Sequence, residues 1–177
     1  YFLAHYKKII GNKCYLSPID RADAEEFTKW VNDLEVTRTL SIFNLNINYD
    51  VELDIIDKIS KDHNYSIIDI KNDKLIGIVG LSNIDYLHRT AEIGIFIGDK
   101  SYWNKGYGEE AMKLLLKYSF SYLNLRNVML RVFSYNHSAI KCYEKIGFKM
   151  IGKRRNAIQF DMKEHDIIFM DILNDEL

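Results

Sequence analysis

The chain of 177 residues has the size of one globular domain, and a chain of this length buries roughly two-thirds of its unfolded surface on folding. Its composition, with 47% hydrophobic and 28% charged residues, excludes a disordered or low-complexity protein. The 24 basic and 25 acidic side chains give a formal net charge of −1, which argues against nucleic acid or an anionic membrane surface as a general partner.

The absence of certain sequence features indicates where the protein is located in the cell and what state its cysteines are in. No apolar run approaches the ~18 residues that cross a bilayer, and residues 1–11 have no signal-peptide stretch, so we expect a cytoplasmic protein. Cys14 and Cys142 lie in no CxxC pair or His-rich stretch, so we expect reduced thiols and no metal. Because no linker or repeat divides the chain, we predict one domain over residues 1–177.

The first third of the chain contains a short strand and two amphipathic helices. The strand is predicted at residues 14–16 and the helices at residues 22–32 and 49–60. In the second helix the charged residues, Glu52 among them, are expected on the exposed side. The expected apolar sides are Phe27, Trp30 and Val31 in the first helix and Val51, Ile55, Ile56 and Ile59 in the second.

A predicted hairpin, a strand and a long helix follow. Residues 65–70 and 74–82 are rich in β-branched side chains, and residues 71–73 between them have the Asn and Asp of a tight turn. Residues 90–97 alternate with a period of two, which predicts a third strand. Residues 109–123 carry an apolar helical face.

The last third of the chain completes an α/β pattern. A strand is predicted at residues 127–133, a helix at 138–145 that Gly147 closes, and extended segments at 148–152 and 167–172. The order of elements predicts an α/β or α+β fold with helices on both faces of a mixed sheet.

Residues 103–108, with the sequence WNKGYG, lie between the strand at 90–97 and the following helix. Gly106 and Gly108 permit close backbone approach, and a helix start presents unpaired N–H groups and the positive end of the helix dipole. A pyrophosphate would suit this position. Taken alone, the six residues fit an ordinary strand-to-helix turn equally well.

A second motif, NHSAIKCYEKIGF at residues 136–148, follows, and the two together resemble the GNAT superfamily of N-acetyltransferases. The similarity covers about residues 14–177 and is greatest to the branch with ribosomal-protein and polyamine (spermidine) acetyltransferases. Where the family turn begins with Gln or Arg, this chain has Trp103. The resemblance implies a GNAT-like, mostly antiparallel mixed sheet with a splayed central strand pair, and acetyl-coenzyme A as co-substrate.

The resemblance also implies which residues bind the coenzyme. The backbone of Phe96, Ile97 and Gly98 would pair with the pantetheine, and Asn136 and Ala139 would face the coenzyme. Asn136 also fits the N-cap of its helix, and both roles are compatible. The residues implied to bind the pyrophosphate are Trp103, Asn104, Lys105, Gly106, Tyr107, Gly108 and Glu109. The Lys105 side chain would add a charge-assisted contact, although a solvated lysine explains it nearly as well.

Amine acetylation requires a neutral amine, a group that accepts its proton, and a proton donor for the departing thiolate. The resemblance places Tyr143 beside the coenzyme sulfur as the general acid. Without the motif, Tyr143 would be interpreted as an aromatic core residue. Cys142 has no His partner in the motif, so we expect direct attack in a ternary complex rather than an acyl-cysteine.

Glu92, on the strand at 90–97, is our candidate for the general base, acting through water. A carboxylate that faces outward or binds Arg89 or His88 is an alternative, because strand alternation does not identify the cleft face. Asp85 and Glu35 are further candidates for the base.

The N-terminal third contains the acidic residues Asp33, Glu35, Asp50, Glu52, Asp54 and Asp57. They would suit a polyamine acceptor, although the solvated faces of two helices explain them as well. An amino sugar, an antibiotic amine or a protein amine would use the same chemistry. A non-catalytic acyl-coenzyme A or amine-binding module is the alternative to an enzyme, and a scaffold without coenzyme affinity is a third possibility. A homodimer is expected by resemblance.

Overall fold

The computed structural model describes residues 5–177, which divide into two compact units. The first unit extends to Leu81 and includes Ile95–Leu115. The second unit comprises Ser82–Gly94 and Leu116–Leu177. The single domain over the whole chain stays a prediction.

The first unit is built on four consecutive antiparallel strands and the helices between them. Each strand from β1 to β4 pairs with the next along the chain. The last of the four, β4, continues into the second unit. The elements are β1 (Ile9–Ile10), β2 (Cys14–Pro18), a 3₁₀ turn (Arg21–Asp23), α1 (Ala24–Val31), α2 (Leu34–Thr37), α3 (Tyr49–Ile59), β3 (Asn64–Asp69) and β4 (Lys74–Asp85).

The core of this unit forms where the apolar side of α1 meets β2 and β3. Phe27 and Trp30 lie edge to face, with ring centroids 5.7 Å apart. Burial of such side chains supplies the main favourable free energy of folding. The buried members of the cluster are Tyr15, Ile19, Ala24, Phe27, Trp30, Val36, Ile56, Ile68 and Leu75.

In the second unit, β6 pairs antiparallel with β8, and β8 with β7. Val128, Leu130 and Val132 of β6 are buried at every second position, as expected for one face of a strand. Their partners across the ladder, Ile172, Met170 and Ile168, are buried as well. The elements of the last third are β6 (Asn127–Phe133), α5 (His137–Ile146), β7 (Lys149–Phe160) and β8 (Lys163–Leu173).

Besides β4, two further elements belong to both units, namely β5 (Thr90–Ile97) and α4 (Tyr107–Ser121). The strand order is β1-β2-β3-β4-β5-β6-β8-β7 in one open sheet. The β5–β6 pair is parallel, and its ladder joins only Thr90–Glu92 to the first three residues of β6. The predicted mixed, mostly antiparallel sheet is therefore confirmed.

Several predicted boundaries differ from the structure. The helix predicted at 22–32 is a 3₁₀ turn followed by α1, and the helix predicted at 109–123 begins earlier, at Tyr107. The segment at 148–152 is only the beginning of β7, which forms a long hairpin with β8. Most of β7 is exposed or half-buried, so its sequence lacks the alternation that marks a strand with one buried face.

One face of α3 also differs from the prediction. Val51, expected on the apolar side, is 42% exposed, whereas Glu52, expected on the surface, is only 5% exposed. Glu52 and Ile56 are four residues apart and therefore share the buried face. The prediction from hydrophobicity was therefore wrong for Val51 and Glu52.

Candidate active site

The turn predicted to bind pyrophosphate connects β5 to α4 in the first unit. Gly106 has a φ of +83°, a conformation that favours glycine. The Glu110 amide donates to the Gly106 carbonyl at 3.1 Å, so the hydrogen-bond ladder of α4 begins at Gly106. The amides of residues 107–109 therefore precede the ladder, and they form the positive end of a long helix. This geometry suits a phosphate group.

Trp103, which stands where the family turn has Gln or Arg, connects the turn to the preceding strand. Its indole Nε1 donates to the Ile97 carbonyl at 2.8 Å and so ties the turn to the end of β5. The hydroxyls of Tyr102 and Tyr107 donate to the Asp69 carboxylate at 3.0 and 3.2 Å. Burial and the Asp69 charge raise the pKa of Tyr107. The turn is thus fixed at both ends by aromatic side chains.

The end of β5 is held against α1. The Gly98 amide donates to the Ile76 carbonyl at 2.9 Å, so it is already engaged within the protein. A Cβ at Gly98 would lie 2.0 Å from Cδ2 of Trp30, and Phe96 packs edge to face on the same indole. Pairing of Phe96, Ile97 and Gly98 with pantetheine stays a prediction.

Sequence reasoning missed Lys13, a cation that the fold brings to the turn. Its Nζ donates to the Lys105 carbonyl at 2.7 Å and lies 5.7 Å from the centre of the Tyr107 ring. The Lys105 side chain, which was predicted to face the phosphate, is exposed. No sequence motif marks Lys13, because it lies 92 residues from Lys105 along the chain.

In the second unit, α5 carries the motif residues. The Asn136 side chain accepts from the Ala139 amide at 3.3 Å, so its N-cap role is confirmed. Gly147 ends the helix with a φ of +122°, and its amide and that of Phe148 donate to the Tyr143 carbonyl. Capping hydrogen bonds thus define both ends of the helix that carries Tyr143.

The Tyr143 ring is half-buried and packs edge to face on Phe148, with centroids 5.9 Å apart. Burial, and to a lesser degree the neighbouring Cys142, raises the pKa of the phenol well above its usual range. The phenol is therefore neutral at physiological pH and keeps a proton that it can donate.

The Glu92 carboxylate forms an ion pair that sequence reasoning did not foresee. The Arg131 Nε donates to one oxygen at 2.5 Å, and the Asn83 side chain donates to the other at 3.2 Å. Arg89 instead donates to the Asn124 carbonyl. Because both oxygens accept hydrogen bonds from protein groups, the geometry does not favour Glu92 as the base, and that role stays a prediction.

Three of the six acidic residues predicted to suit a polyamine, Asp33, Glu35 and Asp57, form ion pairs within the first unit. Lys100 lies within 2.9 Å of both Asp33 and Glu35, and Arg21 pairs with Asp57 at 2.5 Å. The exposed acidic residues Asp50 and Asp54 lie on α3 beside the buried Glu52, whose Oε2 has no hydrogen-bond partner. Burial raises the pKa of Glu52.

Asp85, the remaining candidate base, accepts a hydrogen bond from the His88 amide.

Within residues 5–177 no three His, Cys, Asp or Glu side chains are grouped as a metal site. None of the helices over the same residues has the length and apolarity to cross a membrane. Cys14 is buried, and burial together with Glu110 raises its thiol pKa, so it is an unreactive thiol.

The predicted site residues fall into two groups. Phe96, Ile97, Gly98 and residues 103–109 lie in the first unit, where Trp103 joins the end of β5 to the turn. Glu92 and the α5 residues Asn136, Ala139 and Tyr143 lie in the second unit. Within α5, a hydrogen bond links Asn136 to Ala139.

Comparison with known proteins gives a consistent result. Residues 13–149 match the family described as acetyltransferase (GNAT) domain. The chain is 29% identical to spermidine N(1)-acetyltransferase of Escherichia coli over 86% of this chain and 87% of that protein. It is 32% identical to the putative ribosomal N-acetyltransferase YdaF of Bacillus subtilis, over 58% of this chain and 55% of that one.

A solved structure extends the similarity to three dimensions. The spermidine N-acetyltransferase of Vibrio cholerae, in complex with CoA and spermine, superimposes with a TM-score of 0.84 at 25% identity. The alignment covers 94% of this chain and 98% of that chain. Both comparisons agree with the branch that the two sequence motifs indicated.

Proposed function

The chain belongs to the GNAT family of N-acetyltransferases, and we propose that it moves an acetyl group from acetyl-coenzyme A to a primary amine of a polyamine. The observation that carries the coenzyme assignment is the turn before α4. Gly106 in a left-handed conformation leads into a long helix whose first amides precede the hydrogen-bond ladder. Backbone donors at a helix start bind phosphate without requiring particular side chains.

The reaction is a direct displacement at the thioester. The neutral amine attacks the acetyl carbonyl carbon, the C–S bond breaks, and the thiolate of coenzyme A leaves. Tyr143 on α5 donates its proton to that thiolate, and its raised pKa means that the phenol still carries this proton at neutral pH. The amine proton passes through water to a base, for which Glu92 is our candidate despite its ion pair with Arg131.

The polyamine is proposed from the relatives and from the charges on α3. The Escherichia coli and Vibrio cholerae proteins are spermidine acetyltransferases. Asp50 and Asp54 present exposed carboxylates that would attract a polycation, whereas Asp33, Glu35 and Asp57 already have cationic partners. Of the six acidic residues that the sequence offered for a polyamine, the acceptor proposal therefore rests on Asp50 and Asp54.

The test is release of coenzyme A thiol from acetyl-coenzyme A in the presence of single amines. We expect release with spermidine and spermine above that with an amino sugar, an aminoglycoside or a basic peptide. Permethylated spermidine, which keeps the charges but has no N–H to acylate, is the matched control and should give none. Absence of thiol release with every amine, while coenzyme A still binds, would favour the non-catalytic module.

Replacing Tyr143 with Phe tests the general acid within the same assay. Y143F removes the proton donor but keeps the ring that packs on Phe148, so we expect kcat to fall about 100-fold with little change in KM for acetyl-coenzyme A. Y122F, at a tyrosine that is 79% exposed, is the control and should retain full activity. An unchanged kcat in Y143F would leave Tyr143 as a packing residue.

A further inference from the structure

Lys13 is placed at the turn by a side chain of α4. The Glu110 carboxylate accepts hydrogen bonds from three successive backbone amides, those of Asn12, Lys13 and Cys14, at 3.1, 2.7 and 2.8 Å. Burial acts to raise the pKa of Glu110, but these hydrogen bonds outweigh it, and the net pKa lies below its usual value. The carboxylate is therefore charged at neutral pH and fixes the segment before β2 on α4.

The ammonium group of Lys13 stays available for a ligand. One of its three N–H donors is used by the Lys105 carbonyl, and Lys13 forms no ion pair with a residue that the structure describes. A Cβ added to Gly106 would lie 3.4 Å from the Lys13 Nζ, so the cation lies directly at the residue that opens α4. An ammonium beside unpaired helix amides strengthens an anion site.

We propose that Lys13 is a coenzyme ligand that contacts the pyrophosphate at the turn, and that Glu110 is the residue that positions it. This inference rests on the proposed coenzyme site and adds to it a side chain outside both family motifs. The pyrophosphate carries two negative charges, whereas the backbone amides at the start of α4 offer only partial positive charge. Lys13 adds a full positive charge at the same place. Glu110 does not touch the coenzyme, because its oxygens face the amides of residues 12–14.

The test compares K13M with K8M, a matched control that removes an exposed lysine from the same segment. Calorimetric titration with coenzyme A should show binding weakened about tenfold in K13M, as expected for loss of one charge-assisted hydrogen bond, and unchanged in K8M. K13R should restore most of the affinity. Affinity of the wild type should fall more steeply with salt than that of K13M.

Two coenzyme analogues identify the phosphate. For 3′-dephospho-coenzyme A, which keeps the pyrophosphate, K13M should show the same loss as for coenzyme A. For acetyl-pantetheine, which has no phosphate at all, wild type and K13M should turn over equally. A loss seen only with the 3′-phosphate present would overturn the pyrophosphate contact. Equal affinity of wild type and K13M would overturn the role of Lys13 alone, whereas absence of saturable binding to wild type would overturn the coenzyme site as well.

Glu110 is tested by a double-mutant cycle, because E110Q also changes folding stability. E110Q should weaken coenzyme A binding in the wild-type background and have little further effect in K13M. Equal and additive effects of E110Q in both backgrounds would show that Glu110 acts independently of Lys13 and would refute the positioning role.

Discussion

At the scale of single residues, the site depends on side chains whose function is to hold backbone in place. The Trp103 indole donates to the Ile97 carbonyl, and Asp69 accepts hydrogen bonds from Tyr102, just before the turn, and from Tyr107 within it. These contacts explain how Trp can stand where the family turn has Gln or Arg. In this chain the indole N–H is a donor that reaches the end of β5.

Gly98 gives a direct test of close packing at the end of β5. In G98A the new Cβ would meet the Trp30 ring, so we expect a loss of about 1–3 kcal/mol in the free energy of unfolding. G94A, within β5, is the control, because a Cβ there has no neighbour within 4 Å. Thermal unfolding of both variants measures the difference. Equal melting temperatures would mean that the Trp30 ring moves aside without cost.

At the scale of elements, the contact between α4 and the segment before β2 is electrostatic. One carboxylate accepts hydrogen bonds from the amides of the exposed residues Asn12 and Lys13 and of Cys14, the buried first residue of β2, and a buried amide without a partner is costly. The α4 helix therefore has two functions in the proposed site. Its start presents amides to the phosphate, and its Glu110 side chain brings in Lys13.

This contact predicts a specific pH dependence. Because the folded-state pKa of Glu110 is below its usual value of 4.5, its stabilisation is fully present above pH 4.5 and is lost as the pH falls through the folded-state pKa. At pH 7 we expect E110Q to be about 1–2 kcal/mol less stable than wild type, and the gap should close in acid. Urea unfolding at several pH values measures this difference in the free energy of unfolding. E144Q, at an exposed glutamate, should show no such gap, and a gap for E110Q that is independent of pH would contradict the charge argument.

At the scale of the whole molecule, the family fold and the chemistry of its residues favour a reaction without a covalent intermediate. Both cysteines are free thiols, but Cys14 is buried with a raised pKa, and neither belongs to a Cys–His pair predicted by the motifs. We therefore expect the acetyl group to pass directly from the coenzyme to the amine, without an acyl-cysteine.

Initial-rate kinetics test this conclusion. With acetyl-coenzyme A and spermidine both varied, we expect double-reciprocal lines that intersect, as for a ternary complex. C142S should keep the wild-type pattern and rate. Parallel lines, together with an acetylated enzyme in mass spectrometry after incubation without amine, would establish a ping-pong mechanism instead.

The sequence by itself determined the class of fold, the family and the position of the glycine turn that we propose binds the coenzyme. These depend on local patterns, such as the period of two in β5 and the glycines before α4, which a strand or a helix start requires wherever it lies in the fold. The N-cap at Asn136 and the closing Gly147 were predictable for the same reason.

Only the tertiary structure decided which residues meet. Lys13 and Lys105 are 92 residues apart, Glu92 and Arg131 are 39 apart, and no local period connects either pair. Glu52 is buried although its charge predicts exposure, because the packing of α3 decides which face is covered. Long-range contacts of this kind assign charges to partners, and so they decide which carboxylates and which lysines remain available for substrate.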